Sequence, residues 1–125
     1  MTVLRLTTHA DGPITIVELV GELNLATAPD LAAHLGRLLH EGRRYLVLDM
    51  SGLHSCDAAG MDSLRGGLVR TQLAGGVLRL AAPGEEFTDL VEPRLRRVAH
   101  ADLGEAVDNL RQALADPPAE TAASS

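Results

Sequence analysis

The chain has 125 residues, of which 46% are apolar and 22% charged, a balance typical of a single globular domain with one core. The formal net charge is −6 and all 11 basic residues are arginines scattered along the chain, which argues against a nucleic-acid-binding surface. Cys56 is the only cysteine, the start of the chain has no signal-peptide pattern, and no apolar run reaches about 18–20 residues. We therefore expect a cytoplasmic domain that does not insert into a membrane.

The first third of the chain predicts a hairpin followed by a helix. Residues 3–7 and 14–20 are rich in aliphatic and β-branched residues, and the turn sequence at 11–13 separates them. Helical periodicity begins after Thr27, an expected N-cap, and Gly42 marks the end of this helix. Its apolar stripe consists of Leu31, Leu35, Leu38 and Leu39.

The rest of the chain alternates strands and helices. The apolar run at 45–50 predicts a central strand that is buried on both faces. The further predicted elements are a helix at 58–73 after a loop, a strand at 77–81, a short helix at 85–92, an edge strand at 97–100 and a helix at 102–114 capped by Asp102. We therefore expect one α/β (α+β) domain over 1–115, with helices packed on one face of a small mixed sheet, and a disordered tail over 116–125.

The sequence carries little that indicates an enzyme. It has no phosphate-binding loop, dinucleotide fingerprint or zinc-binding helix motif, so we expect no metal and no cofactor. His54, Cys56 and Asp57 lie close together in a predicted loop, but Cys56 is better explained as a small buried apolar residue. A receiver domain is an alternative, because its phospho-acceptor aspartate ends a central strand and Asp49 lies at the predicted end of such a strand. Only one acid, Asp11, follows the first strand, whereas a bound Mg²⁺ needs more oxygen ligands.

Three ordered sequence blocks carry the strongest signal. They are L-V-G-E-L-N at 19–24, D-M-S-G-L at 49–53 and D-A-A-G-M at 57–61. In type, order and spacing they resemble the STAS domain of anti-sigma factor antagonists, over about residues 3–113. The resemblance implies a STAS-type fold and a bacterial, non-catalytic role in sigma factor regulation. In that role the domain binds an anti-sigma factor that is a serine kinase-type ATPase, and a sigma factor is released for transcription.

Two positions depart from the family pattern. The family's phosphorylated serine follows the aspartate of the third block, and this position is Ala58, followed by Ala59. The last residue of the first block is an aspartate in the family and Asn24 here. The resemblance therefore implies binding without the usual phosphorylation switch. Nearby hydroxyls remain at Ser51, Ser55 and Ser63, of which Ser55 is the better substitute because we expect it in a loop.

The helix at 58–73 predicts a docking surface. Asp57 is placed as its N-cap, and a cap role alone is the simpler alternative. Helical periodicity puts the apolar residues on one face and small residues on an exposed strip opposite, broken by Arg70. The expected partner-binding residues are Asn24, Ser55, Asp57, Ala58, Ala59, Gly60, Ser63, Gly66, Gly67 and Arg70. The alternative to a docking surface is an exposed helix of low stability. The alternative function is a scaffold role in a lipid-transport or stress-signalling assembly, and the sequence does not decide the oligomeric state.

Overall fold

Alternation of β-branched and leucine-rich segments gives the chain an α/β fold. The structure is a computed structural model that describes residues 3–84 and 93–115. Its elements in chain order are β1 (Leu4–Asp11), β2 (Ile14–Leu23), α1 (Ala28–His40), β3 (Tyr45–Cys56), α2 (Ala58–Leu73), β4 (Val77–Ala81), α3 (Pro93–Arg97), β5 (Ala99–His100) and α4 (Leu103–Ala115).

The strands form one mixed sheet in the order β1-β2-β3-β4-β5. Strands β1 and β2 pair antiparallel through the predicted hairpin, whose turn places Gly12 at φ +62°. Strands β2 to β5 run parallel. The carboxyl ends of β2 and β3 consequently meet at one edge of the sheet, and both connections to the following helices start there.

One face of the sheet packs against α1, α2 and α3. Strands β2, β3 and β4 place alternate residues on this face, as the two-residue period of a strand requires. The largest buried residues of this cluster are Leu19, Leu23, Leu31, Leu35, Leu46, Leu48, Leu64, Leu78, Leu80 and Leu95. The central position predicted for the strand at 45–50 is confirmed, because Leu46, Val47 and Leu48 are all inaccessible to solvent.

The opposite face is covered by α4. The intervening residues of the same strands pack there against the apolar stripe of α4, in a cluster of Ile14, Ile16, Val47, Ala81, Ala106, Val107 and Leu110. The mixed α/β fold is confirmed, but the prediction that all helices pack on one face is wrong. The reason is that β2, β3 and β4 carry apolar residues in both orientations, so each face needs a helical cover.

Strand β3 is longer than predicted. It continues through Cys56, so residues 51–56 belong to the sheet and not to a loop, and Asp49 lies inside the strand. Two register shifts against β2 each insert one extra residue into β3. At the first of them, the Asp49 carboxylate accepts a hydrogen bond from the backbone N–H of Ser51 (3.1 Å). The bulges accommodate the extra residues of the polar second half of β3 while the strand stays paired with β2.

Helix α1 begins directly after Thr27, as predicted, so Thr27 holds the N-cap position. Thr27 makes no side-chain capping bond, and its backbone is in the helical region at φ −104° and ψ −16°. Its buried hydroxyl instead donates to the carbonyl of Glu22 (2.8 Å). The end of α1 is as predicted, because Gly42 follows it with φ +92°.

The remaining predictions have mixed outcomes. The helix at 58–73 and the strand at 77–81 are confirmed, and Asp102 caps α4 by accepting from the N–H of Glu105 (2.8 Å). The predicted edge strand is confirmed only at Ala99–His100, because Arg97 ends α3. The predicted helix at 85–92 and the tail at 116–125 lie outside the described residues. No helix in the described ranges is long and apolar enough to cross a membrane.

Candidate functional site

The first and third sequence blocks meet at the carboxyl edge of the sheet. Leu23, at the end of β2, is the register partner of Cys56, at the end of β3. The backbone N–H of Asp57 then donates to the carbonyl of Leu23 (3.2 Å). This ladder fixes the β2–α1 connection beside the first turn of α2. Asn24, which directly follows Leu23, is thereby brought towards the start of α2.

Asp57 is the N-cap of α2, as predicted. Its backbone is extended (φ −91°, ψ −173°), and its carboxylate accepts a hydrogen bond from the backbone N–H of Gly60 (2.8 Å). This geometry satisfies one of the free N–H groups of the first turn and complements the helix dipole. Asp57 and Ala58 are both exposed. The N-terminus of α2 therefore presents a carboxylate and a methyl group to solvent.

Gly60 allows α2 to start close to the sheet. A Cβ atom at this position would lie 2.5 Å from the Leu23 carbonyl oxygen and 2.9 Å from the Cys56 Sγ. Both distances are shorter than van der Waals contact, and the nearer atom is backbone. Gly60 is buried and is therefore explained by the fold, so its predicted place on a partner-binding surface does not fit its environment.

Asn24 organises the connection between β2 and α1. Its side-chain oxygen accepts hydrogen bonds from the backbone N–H groups of Ala26 (3.0 Å) and Thr27 (3.3 Å). Its own N–H donates to the Thr27 hydroxyl (3.0 Å). Asn24 thus forms a local turn in which the side chain mimics a backbone acceptor. Its position beside α2 is compatible with the predicted site, although its side-chain oxygen is already used.

The hydroxyl groups near Ala58 are held within the fold. Ser55 is half-buried in β3, opposite Glu22, so the prediction that it lies in a loop is wrong. Ser63 is half-buried and donates to the Gly60 carbonyl (2.7 Å). Ser51 is exposed but lies in β3, at the bulge beside Asp49. The extended bulged strand replaces the loop that was expected to expose Ser55.

One small residue of α2, Gly67, faces α1 and not solvent. Gly67 is buried, and a Cβ there would lie 2.7 Å from the Leu35 Cδ1 on α1. Arg70 is exposed but reaches over α1, where it donates to the carbonyl of Ala32 (3.3 Å). The prediction of an exposed small-residue strip is therefore wrong at Gly67. The close partner of this glycine is a helix of the same chain.

Other positions of the strip remain partly accessible. Ala59 and Gly66 are half-buried, and nothing lies within 4 Å of a Cβ placed at Gly66. The structure leaves Ala58, Ala59 and Gly66 open to a partner and removes Gly60 and Gly67 from the predicted surface.

The alternative sites from the sequence do not form catalytic arrangements. Cys56 packs against the first core cluster, with its thiol 3.8 Å from the carbonyl of Asp57, whereas His54 is exposed. Asp49 is engaged at the bulge of β3 and lies away from the strand end, where a receiver acceptor is placed. Within residues 3–84 and 93–115, no group of three or more His, Cys, Asp or Glu side chains is arranged to hold a metal ion.

Sequence reasoning missed Leu25. It lies in the β2–α1 connection, two residues after Leu23, and is 77% exposed. Single exposed leucines are common on protein surfaces, but this one lies in a connection that the candidate site includes. The sequence indicated Leu25 only as a large apolar residue between Asn24 and Ala26, in a segment whose other residues favour a turn.

The chain belongs to the STAS domain family, whose model matches residues 5–113. Among solved structures, it is similar to an anti-sigma factor antagonist from Mycobacterium paratuberculosis, with a TM-score of 0.74, 17% identity, and coverage of 87% of this chain and 95% of that one. The phosphorylated form of SpoIIAA, a cell fate determinant of Bacillus, has a TM-score of 0.69, 17% identity, and coverage of 86% and 99%.

The same fold also occurs inside a much larger protein. The murine anion transporter Slc26a9 matches with a TM-score of 0.65 and 19% identity, over 82% of this chain and 18% of the transporter chain. No curated protein sequence matches this chain. At these identities the structural matches establish the fold.

Proposed function

We propose that this domain is an anti-sigma factor antagonist that acts by binding alone. Its partner is an anti-sigma factor of the serine kinase-type ATPase class, and capture of that partner releases a sigma factor for transcription. The domain itself carries out no catalysis. Membership of the STAS family and the likeness to two proteins named for this role support the proposal.

The observation that carries the proposal is the exposed N-terminus of α2. Asp57 caps the helix and Ala58 stands directly after it in solvent, at the position where the family pattern has a serine. A methyl group cannot accept a phosphoryl group. A phosphoserine there would add about 1.5–2 negative charges at neutral pH. We propose that Ala58 keeps the domain permanently in the binding-competent state, regulated by its abundance or by competing partners.

The proposed contact surface is narrower than the sequence indicated. It consists of exposed or half-buried residues in the β2–α1 connection, at the start of α2 and in the middle of α2, namely Leu25, Asp57, Ala58, Ala59 and Gly66. The mixture of one carboxylate and several small or apolar groups suits a partner surface with an apolar centre and a basic residue opposite Asp57.

Calorimetric titration against the purified anti-sigma factor tests the proposal. We expect Ala58→Ser to bind like the parent before ATP is added, and to be phosphorylated and lose affinity afterwards. Ala58→Asp should weaken binding about tenfold or more, because it places a charge in a desolvated contact. An aspartate in the first turn of a helix favours folding, so this loss would not reflect unfolding.

Ala74→Asp is the matched control, because Ala74 is an exposed residue at the opposite end of α2. It should bind like the parent. Equal affinity of the parent and Ala58→Asp would show that the partner docks elsewhere, and stoichiometric phosphate on Ser55 or Ser63 of the parent would show that a switch persists.

A second candidate function is a non-catalytic scaffold in another assembly. The observation in its favour is that the same fold forms part of a transporter. Affinity capture from native lysate with mass spectrometry separates the two. Enrichment of a kinase-type ATPase favours antagonism, and enrichment of transporter subunits favours the scaffold.

A further inference from the structure

A cavity of about 310 Å³ lies at the carboxyl-terminal end of α1, away from the N-terminus of α2. Its volume is at the lower end of the roughly 300–1,000 Å³ of small-molecule sites. The polar lining residues that matter here come from the hairpin, α1 and the residues that follow α1, and they are Thr8, Thr15, His34, Arg37, Glu41 and Arg43. The opposite end of α1, at Thr27, is about 15 Å away along the helix.

The hydrogen bonds of His34 determine which groups of this cavity can donate. A guanidinium nitrogen of Arg37 lies 2.8 Å from His34 Nδ1, and His34 Nε2 lies 2.5 Å from the Thr8 hydroxyl oxygen. Because arginine has only donors, Nδ1 is the acceptor, and a neutral ring then carries its proton on Nε2. The Thr8 hydroxyl oxygen accepts a hydrogen bond from the Nε2–H of His34. The hydroxyl hydrogen of Thr8 is therefore available to another acceptor.

His34 is kept in the neutral form that this arrangement needs. Burial lowers the pKa of His34 below its ordinary value of 6.5, and the positive charge of Arg37 lowers it further. Glu41 acts in the opposite direction on the same pKa. At neutral pH the ring therefore links Arg37 to Thr8 without adding a charge.

Thr15 provides a second available hydroxyl. Its side chain is only 1% exposed, and its hydroxyl oxygen has no hydrogen-bond partner among the described residues. A buried hydroxyl without a partner is unfavourable, and most such groups in proteins are satisfied by a neighbour, a water or a ligand. Thr15, a lining residue, thus carries an unused donor directly beneath the surface of the cavity.

The charge of the cavity is set by two arginines against one acid. Arg37 and Arg43 line it, and Glu41 is its only carboxylate. The end of a helix carries partial negative charge, which would oppose an anion. Here Arg44 offsets that charge, because its guanidinium donates to the Leu39 carbonyl (2.7 Å). Arg37 and Arg43 are then left to face the cavity.

We propose that this cavity binds a small tetrahedral oxyanion of the phosphate class, held by Arg37 and Arg43 and by the hydroxyls of Thr8 and Thr15. All four groups can donate hydrogen bonds, and an oxyanion supplies acceptors for them. Guanidinium groups match the geometry of phosphate oxygens. The volume is large enough for inorganic phosphate with bridging waters or for a small phosphomonoester. This proposal is independent of partner binding at α2.

Titration with inorganic phosphate, followed by NMR on the full chain, tests the proposal. We expect saturable shifts at Thr8 and Thr15 that chloride at equal ionic strength does not produce. Arg43→Gln should lower the phosphate affinity about tenfold, as expected for a hydrogen bond to a charged group. Arg5→Gln is the control of equal charge change, since Arg5 is an exposed residue of β1 that does not line the cavity.

Two further variants separate binding from folding. Glu41→Gln should raise the phosphate affinity, because it removes the opposing charge. Thr15→Val should lower the affinity but leave the urea midpoint unchanged or higher, because it removes an unsatisfied hydroxyl from the core. Bound phosphate should also raise the pKa of His34, which a purely structural role of these residues would not do.

A second arm replaces inorganic phosphate with glycerol phosphate. Tighter binding of the ester identifies a phosphomonoester as the ligand, and equal or weaker binding identifies phosphate itself. The proposal is overturned if chloride reproduces the phosphate-induced shifts, or if Arg5→Gln lowers the affinity as much as Arg43→Gln does.

Discussion

The backbone carbonyl of Leu23 lies directly against Gly60, since a Cβ atom at residue 60 would be 2.5 Å from its oxygen. The end of β2 and the first turn of α2 are therefore in direct backbone contact. The same oxygen accepts the N–H of Asp57 (3.2 Å). This contact joins the two connections that form the candidate site. The site therefore depends on a residue that no partner could reach.

Gly60→Ala should lower the free energy of unfolding by about 1–3 kcal/mol, because the added methyl group overpacks against backbone. Gly66→Ala is the matched control in the same helix, with nothing within 4 Å of the added methyl group. It should raise the free energy of unfolding by about 0.4–1 kcal/mol through the reduced freedom of the unfolded chain. Urea denaturation of both variants measures the difference. Equal effects of the two substitutions would contradict the close approach at Gly60.

Leu110→Ala tests the packing of α4 on the second face of the sheet. Leu110 is fully buried in the second core cluster, so its truncation should cost about 2–5 kcal/mol in the free energy of unfolding. Leu73→Ala is the control, because Leu73 is 82% exposed and a surface change of this kind costs about 0.5 kcal/mol or less. A cost for Leu110→Ala as small as that of Leu73→Ala would show that α4 does not contribute to the core.

The sequence predicted local structure better than it predicted which surfaces face each other. The period of leucines in α1 and the Asp57 cap depend on neighbours in the chain, and both were predictable. The burial of Gly67 was not, because it depends on Leu35 of a different helix. Small residues indicate close approach, but they do not say whether the approaching chain is the same molecule.

The course of β3 shows the same limit. Residues 51–56 contain serine, glycine and histidine, which favour a loop by composition. They form a strand because β2 extends beside them and because bulges accommodate the extra residues. Pairing partners and bulges are properties of the assembled sheet, so a single-sequence pattern does not reveal them.

The unfolding free energy should depend on pH through His34. Burial and Arg37 lower its pKa in the folded state below 6.5, so the unfolded chain binds more protons between these two pKa values. The stability from neutral His34 is fully present above pH 6.5 and is lost as the pH falls through the folded-state pKa.

Urea denaturation across this range should show a smaller decrease for His34→Gln than for the parent. Gly66→Ala changes no titratable group and should follow the pH dependence of the parent. An identical pH dependence for His34→Gln would show that the ring gives no such contribution.

Leu25 offers a direct test of the surface that includes the β2–α1 connection. Leu25 is 77% exposed and Leu73 is 82% exposed, yet Leu25 lies in the β2–α1 connection and Leu73 at the C-terminal end of α2. Replacing either leucine with serine removes a similar exposed apolar area, so neither change should alter the free energy of unfolding by more than about 0.5 kcal/mol. Leu25→Ser should weaken binding of the anti-sigma factor about tenfold or more, because fully burying a leucine side chain contributes about 1.5–3 kcal/mol. Leu73→Ser should bind like the parent in the same calorimetric titration.

If the partner binds both variants equally, the contact surface does not include the β2–α1 connection. A loss of affinity confined to Leu73→Ser would place the contact surface at the C-terminal end of α2.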